Sequence, residues 1–419
     1  MGEGDKTHKQ VLGRVKFKRA YKKVTAWFAS WPLFVSILVG IVLAFVVFGL
    51  LAKAWAGWSV FEKLPDDAHD FVIVVFAALV SMSAVGYLVI KYQERTAAKR
   101  IEVEAMMNAA ITKLGNSDHS TKIAGVYALA DIADIYRGSY RQRVVDILCG
   151  YLRTERAKDS AVESTITGVI RKHLLKERKS DGQRSPVEQV MADDQLWCDC
   201  DFNFHGAKFN EPLIFSYVTF EKTASFVRAV FKEYAYFEEA TFEEDAFFAG
   251  TAFKDFVFFA GALFEGGVYF TGTGFEHNAG FTEALFEDDA DFTGATFEDN
   301  ADFSRVGFKA RVHFKETAFN GSVFFLGAVF EDVVKYTETT FEKGAHFGSV
   351  VFKDSADFTN ATFTRGKSVS FSVGFPLIDE LPDGALWVEP SEEPQGDLES
   401  DLKPEPEAGS VREGDYEEK

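Results

Sequence analysis

The sequence predicts a mainly β solenoid, a stack of short strands wound into a rod and preceded by helices. Three observations carry this prediction. Phenylalanine recurs from Phe204 to Phe363 at steps that alternate five and six residues, so the true period is eleven. A small or β-branched residue stands two places before the aromatic, as Ala224 before Phe226, Ala290 before Phe292 and Val350 before Phe352. Thr, Gly, Glu, Asp and Asn crowd the positions that follow, and these residues suit tight corners. Self-similarity at a short fixed period is the mark of a solenoid.

The spacing small-x-Phe places two inward residues around one outward residue, the alternation of a short strand. The unit Ala290-Asp291-Phe292-Thr293-Gly294-Ala295-Thr296-Phe297-Glu298-Asp299-Asn300 shows the whole pattern. An eleven-residue period also suits a right-handed helical supercoil. Geometry excludes it, because positions five apart lie about 140° apart on a helix and the rings would scatter around the cylinder. The frequent Gly and Thr also disfavour a helix.

Tandem small-x-(Leu/Phe)-x-x over roughly Leu196 to Thr364 resembles the pentapeptide-repeat family. That resemblance implies a right-handed quadrilateral β-helix. The chain departs from the simplest family pattern in using Phe for Leu and in carrying one extra residue on alternate faces. Four faces then take 22 residues, giving about seven coils and a rod about 35 Å long. Whether the extra residue bulges at a corner or widens the square is open at this stage. Four inward columns follow, one running Phe204, Phe226, Phe248, Phe270, Phe292, Phe314, Tyr336, Phe358. Each buried ring contributes on the order of 2 kcal/mol. Tyr336 interrupts the Phe identity, and its hydroxyl is expected to find a backbone partner.

The chain has 419 residues and a formal net charge of −19, room for two or three domains with extensions. Residues 1–26 form a basic arm with eight Lys and Arg against Glu3 and Asp5, the composition of a cytoplasmic membrane-surface segment. Within 27–90, the apolar runs 32–52 and 71–90 are each long enough to span a bilayer. Trp27, Trp31, Trp55 and Trp58 flank the first run, and a short base-poor, extracytoplasmic loop separates the two. Arg95, Lys99 and Arg100 follow the second, so both termini are expected in the cytoplasm of a multi-pass plasma-membrane protein. A cleaved signal peptide ending at Ala52-Lys53-Ala54 is the weaker alternative, since the apolar core is too long and a second run follows.

Residues 91–180 read as an α-helical, HEAT-like block. Glu94 to Leu114 continues the second apolar run, and Asn116-Ser117-Asp118 breaks it. Ser120 is placed to cap a helix to about Ile135, with Val126, Tyr127 and Leu129 among its apolar residues. Gln142 to Arg153 and Ser160 to Leu175 follow. The phrases Lys122-Ile123-Ala124-Gly125-Val126-Tyr127-Ala128-Leu129 and Asp146-Ile147-Leu148-Cys149-Gly150-Tyr151-Leu152-Arg153 resemble a segment that precedes the repeats in membrane-anchored pentapeptide proteins of actinobacteria. This second resemblance implies no activity.

A linker at 181–195 leads to the β-helix at 196–366. Cys198 falls in phase with the Phe columns and reads as a small core residue capping the first coil. Register fails after Phe363, so 367–388 is expected to cap the last coil, with Leu377, Leu381, Leu386 and Trp387 covering its apolar end. Residues 389–419 form an acidic tail of disordered composition.

Three cysteines, Cys149, Cys198 and Cys200, are too few for a disulfide framework or a zinc site. His205, His277, His313 and His346 share no phase, and Glu243-Glu244-Asp245 and Glu287-Asp288-Asp289 read as solvated corners. No EF-hand, catalytic triad, phosphate loop or HExxH spacing occurs. The sequence therefore offers no catalytic, cofactor or metal residues. It points to a non-catalytic, membrane-tethered scaffold or interaction module. Its expected partners are the lipid bilayer and a cytoplasmic protein, without direct nucleic-acid binding. From Asp201 to Gly366 there are 27 acids against 13 bases, so the alternative is a DNA-mimicking binder of an enzyme such as DNA gyrase. Oligomeric state is not legible.

Overall fold

The computed structural model describes residues 68–154, 159–176, 191–371 and 381–388, with backbone alone at 68–80, 82 and 83. The basic arm, the first apolar run, the loop after it as far as residue 67, residues 181–190 of the linker, Leu377 of the expected cap and the acidic tail lie outside the described residues. The chain divides into two units, Met1–Ala105 and Met106–Lys419. Among the described residues four helices come first: α1, Ala68–Leu114; α2, His119–Tyr136; α3, Gly138–Arg153; and α4, Ser160–Leu174.

The expected membrane placement is corrected here. The run 71–90 is the opening part of α1, a single 47-residue helix that continues without a break through Lys91, Glu94, Arg95, Lys99 and Arg100. Among the described residues no helix is long and apolar enough to cross a membrane. The expected multi-pass localisation with both termini cytoplasmic conflicts with this and is withdrawn, and the two-span reading is not supported among the described residues.

In the second unit, α2 packs against α3 and α4 around Val126, Leu129, Ala133, Val145, Leu148, Leu152, Ile166 and Ile170. Gly125 lets α2 meet the end of α1 at backbone distance. A Cβ there would lie 2.7 Å from the Leu114 nitrogen and 3.0 Å from the Ala110 oxygen. Asp118, rather than Ser120, caps α2, its Oδ2 accepting from the Thr121 N–H at 2.7 Å. Tyr127 is 55% exposed, because it stands a full 100° step round the helix from buried Val126. The third helix starts at Gly138, ahead of the expected Gln142, where Arg137 turns the chain at φ +49°.

From Phe202 the chain winds through four parallel sheets, the four faces of the solenoid. They start at Phe202–Asn203, Lys208–Phe209, Leu213–Ile214 and Thr219–Phe220 and hold eight, nine, eight and seven strands. Phe202 pairs with Ala224 and Phe209 with Phe231, so one coil is 22 residues. There are about eight turns, one more than the sequence count, because Val369–Phe371 and Leu386–Val388 extend the stack.

The corners alternate in kind. After every second Phe the chain makes a tight turn in which the third residue on donates back to the Phe carbonyl, Ala207 to Phe204 and Ala229 to Phe226, both at 2.9 Å. The second residue after each such Phe, the third of the turn, has positive φ, from Gly206 and Tyr217 to Ser349 and Asn360. One positive φ at that place defines a type II turn. The intervening corners, such as 210–212 and 221–223, are open bends. Strands are two residues long on nearly every face, so the extra residue sits in the bends, at two opposite corners, and widens no side.

The interior is a lattice of rings. Along one column the centroids from Phe204 through Phe226, Phe248, Phe270 and Phe292 to Phe314 are spaced 4.7–5.0 Å. Rings of opposite columns meet edge to face, as Phe226 and Phe237 do at 5.5 Å and 81°, an arrangement aromatic quadrupoles favour. Thr251, Thr273, Thr317 and Thr339 take the small inward slot and donate to Phe carbonyls at 2.7–2.8 Å. Tyr336 stacks 5.1 Å from Phe314 and 4.7 Å from Phe358. Its hydroxyl, expected to find a backbone acceptor, is buried without a hydrogen-bond partner. The column holds the ring in place, and the carbonyls around it already serve the ladder.

Candidate interaction surface

With the interior filled, chemistry is left to the outward residues and the helical end. The helices cover the first coil directly. Glu163, 2% exposed, accepts at Oε1 from the Asn210 N–H at 2.6 Å and the Glu211 N–H at 3.1 Å. Its Oε2 accepts from Asn210 Nδ2 at 3.0 Å. Arg141 donates to the Leu196 and Asp194 carbonyls, each at 2.6 Å. Trp197 stacks on His173 at 4.1 Å, and both bond to Asp134, at 3.0 and 3.3 Å. Burial pushes the Asp134 carboxyl up, but the bonds from His173 and Trp197 outweigh it and hold the group below its usual range.

A second polar cluster ties the helices together. Asp159 accepts from Lys122 at 2.5 Å and Tyr151 at 2.8 Å, with His119 Nε2 at 2.9 Å. Burial raises the Asp159 carboxyl, and the Lys122 and Tyr151 bonds more than offset that, so it too lies low. The bond to Asp159 raises Lys122. These groups are spent on one another, as in a structural network.

Cys198 closes the N-terminal end as the sequence indicates. It is buried, with its sulfur 3.7 Å from the Leu174 carbonyl, and its own carbonyl takes the Glu221 N–H at 2.9 Å. Burial pushes the thiols of Cys149, Cys198 and Cys200 up to about 12, which makes them inert packing groups. Among the described residues no group of three or more His, Cys, Asp or Glu is arranged to hold a metal ion.

The acidic corners, Glu243-Glu244-Asp245 and Glu287-Asp288-Asp289, fall on one bend corner of the rod, the corner that also carries Lys222, Lys309, Arg311 and Lys353. Pairs one coil apart neutralise much of it: Lys222–Glu244 and Lys309–Glu287 at 2.5 Å, Arg311–Asp289 at 2.5 Å and Lys353–Glu331 at 2.7 Å. The corner is thus a ladder of mixed charge, not a bare acidic stripe.

The diagonally opposite corner and the face after it are different. Ile214 and Tyr234 are 51% and 38% exposed, and Tyr236, Phe256 and Phe258 are half-buried. Their rings stack outward: Tyr234 on Phe256 at 5.6 Å, Tyr236 on Phe258 at 5.3 Å, and Phe256 on His277 at 5.5 Å. A smaller outward pair, Phe247 and Tyr269, stacks at 5.0 Å on the first face, and Phe324 stacks on His346 at 4.9 Å on the third. Beside Tyr234, at the foot of the helical block, lies a cleft of about 310 Å³ lined by Asp159, Ser160, Asn210, Glu211, Pro212 and Glu233. Sequence reasoning missed this aromatic surface and read His277 and His346 only as histidines without a common phase.

A family model described as pentapeptide repeats (9 copies) matches residues 201–241, 226–274 and 270–318. The β-solenoid is thus built on pentapeptide repeats. No curated protein and no solved structure matches the chain.

Proposed function

We propose that the protein is a non-catalytic interaction module whose outward surface docks another protein. The observation that supports this reading is the division of labour within each coil. Inward residues are committed to ring packing, while the outward ones on the first coils include large half-exposed aromatics, a residue class enriched at protein interfaces. The pentapeptide repeat, a scaffold without catalytic machinery of its own, supports it as well. The DNA-mimicking alternative is less well supported, because mimicry needs a continuous acidic stripe and the most acidic corner carries interposed, ion-paired bases.

Affinity purification of the tagged full-length chain tests the reading. Proteins retained by the wild type and released by outward substitutions on the solenoid are the expected result. A retained set unchanged by every outward substitution would end the proposal. A supercoiling assay with DNA gyrase separates the alternative, since inhibition at micromolar chain would favour mimicry.

A further inference from the structure

We propose that the aromatic ladder and the adjoining cleft form one binding site for a short extended peptide carrying arginine or lysine next to apolar residues. The inference rests on the interaction-module reading and specifies where and what that module binds. Two features of different chemistry meet here. The first is the run Ile214, Tyr236, Phe258 on the third face, flanked by Tyr234 and Phe256 at the bend. Outward aromatics on a solenoid are not needed for folding. The equivalent outward place is Asp302 two coils further on, and Gly280 between them, so the coil forms as well without a ring. The Tyr236 and Phe258 rings lie 5.3 Å apart, nearly parallel, and Gly280 continues the row with no side chain. This leaves an apolar strip with an open shelf at its far end.

The second feature is charge. The cleft at the near end is lined by three acidic residues, Asp159, Glu211 and Glu233, and by no basic residue. Asp159 is already engaged by Lys122 and His119, which leaves Glu211 and Glu233 as the groups that face an incoming cation. The cleft floor is rigid, because Glu163 pins the Asn210 and Glu211 backbone and the α4 helix stands behind it. Charge complementarity therefore selects a cationic side chain for the cleft. The rings beside it add cation–π attraction for a guanidinium and apolar contact for the residues that follow. A peptide running along the rod axis crosses one ring per coil, so successive contacts fall at the stacking interval of the coils.

The test uses the full-length chain and a short labelled peptide with arginines at its N-terminus and an apolar remainder. Two control peptides go with it, one with glutamates for the arginines and one with a wholly polar remainder. Binding is read by fluorescence anisotropy. The first peptide is expected to bind and both controls to bind at least about tenfold more weakly. The outward pair Tyr236→Ser with Phe258→Ser, and separately Glu211→Gln with Glu233→Gln, are each expected to weaken it at least about tenfold while thermal melting is unchanged. Glu287→Gln with Asp288→Asn, on the diagonal corner, is expected to leave binding as it is. Equal loss in that control would show a general attraction of cations to an acidic chain and overturn the site. A wild-type chain that self-associates in sedimentation velocity, with Tyr236→Ser abolishing it, would also overturn the proposal and assign the face to a second copy. If no peptide binds yet the wild type still retains a partner released by other outward substitutions, this site falls and the interaction module stands. If neither occurs, both fall.

Discussion

The two ends of the solenoid are closed in different ways. At the N-terminal end three helices lay buried polar groups onto the first coil: Glu163 on the Asn210 bend, Arg141 on the Leu196 and Asp194 carbonyls, and the Asp134, His173 and Trp197 cluster. At the C-terminal end the chain covers itself with more of the same. Val369 pairs with Ala345 and Leu386 with Thr362, Phe371 stacks 5.1 Å over Phe347, and Leu386 and Trp387 stay exposed. The contrast shows which part of a solenoid is self-templating. A ring column accepts any aromatic delivered at the right height, even from a strand out of the 22-residue register. A first coil has no coil before it, so its strand edges must be met by specific donors and acceptors.

If that is right, damage should be unequal between the ends. The largest effect is expected at Trp197→Ala, which empties a fully buried site and takes the indole donor from Asp134 Oδ1. A loss of about 3–5 kcal/mol in urea unfolding is expected. Glu163→Ala comes next, at about 2–3 kcal/mol, since two backbone N–H groups lose their acceptor. Acid attacks the same end. Asp134 and Asp159 titrate below the ordinary 3.8 in the folded chain. Their contribution is therefore complete above that value and lost as pH falls through the lowered folded values. Hydrogen exchange at decreasing pH should open α2 to α4 before the middle coils; simultaneous opening would break the comparison.

Between the ends, Tyr336→Phe should stabilise the protein by about 1–2 kcal/mol, because the ring stays in its column and an unsatisfied hydroxyl disappears. A lower unfolding midpoint in the variant would mean the hydroxyl has an acceptor after all. The smallest effect is expected at Trp387→Ser. Trp387 is 37% exposed and meets Phe363 only at 6.4 Å, so a loss below about 1 kcal/mol is expected. A loss as large as that of Trp197→Ala would make the two caps equivalent.

Legibility in the sequence follows the same division. The inward columns could be read because every coil repeats the same demand, and Cys198 could be read because it kept their phase. The extended C-terminal coil was hidden by its shifted register, although Val369-Ser370-Phe371 keeps the small-x-Phe form. The Asp118 cap was misassigned to Ser120 because both residue types cap helices, and only the backbone path separates them. The outward aromatics went unread because they occupy the variable place in small-x-Phe. A signal was present, since Tyr236, Phe247, Phe258, Tyr269 and Phe324 each immediately precede an inward Phe.

The four-sided coil came from the family resemblance; by itself, the amino-acid sequence determined the repeat and the commitment of its interior to aromatic packing. Those follow from local alternation and a strict period, and both are visible one residue at a time. The tertiary structure alone decided the placement of the extra residue in two opposite bends, the seating of the helices on the first coil, the orphaned Tyr336 hydroxyl, and the meeting of the outward rings with an acidic cleft. Each of these depends on groups brought together from a full coil or more apart in the chain, a distance over which no local pattern specifies what will stand beside what.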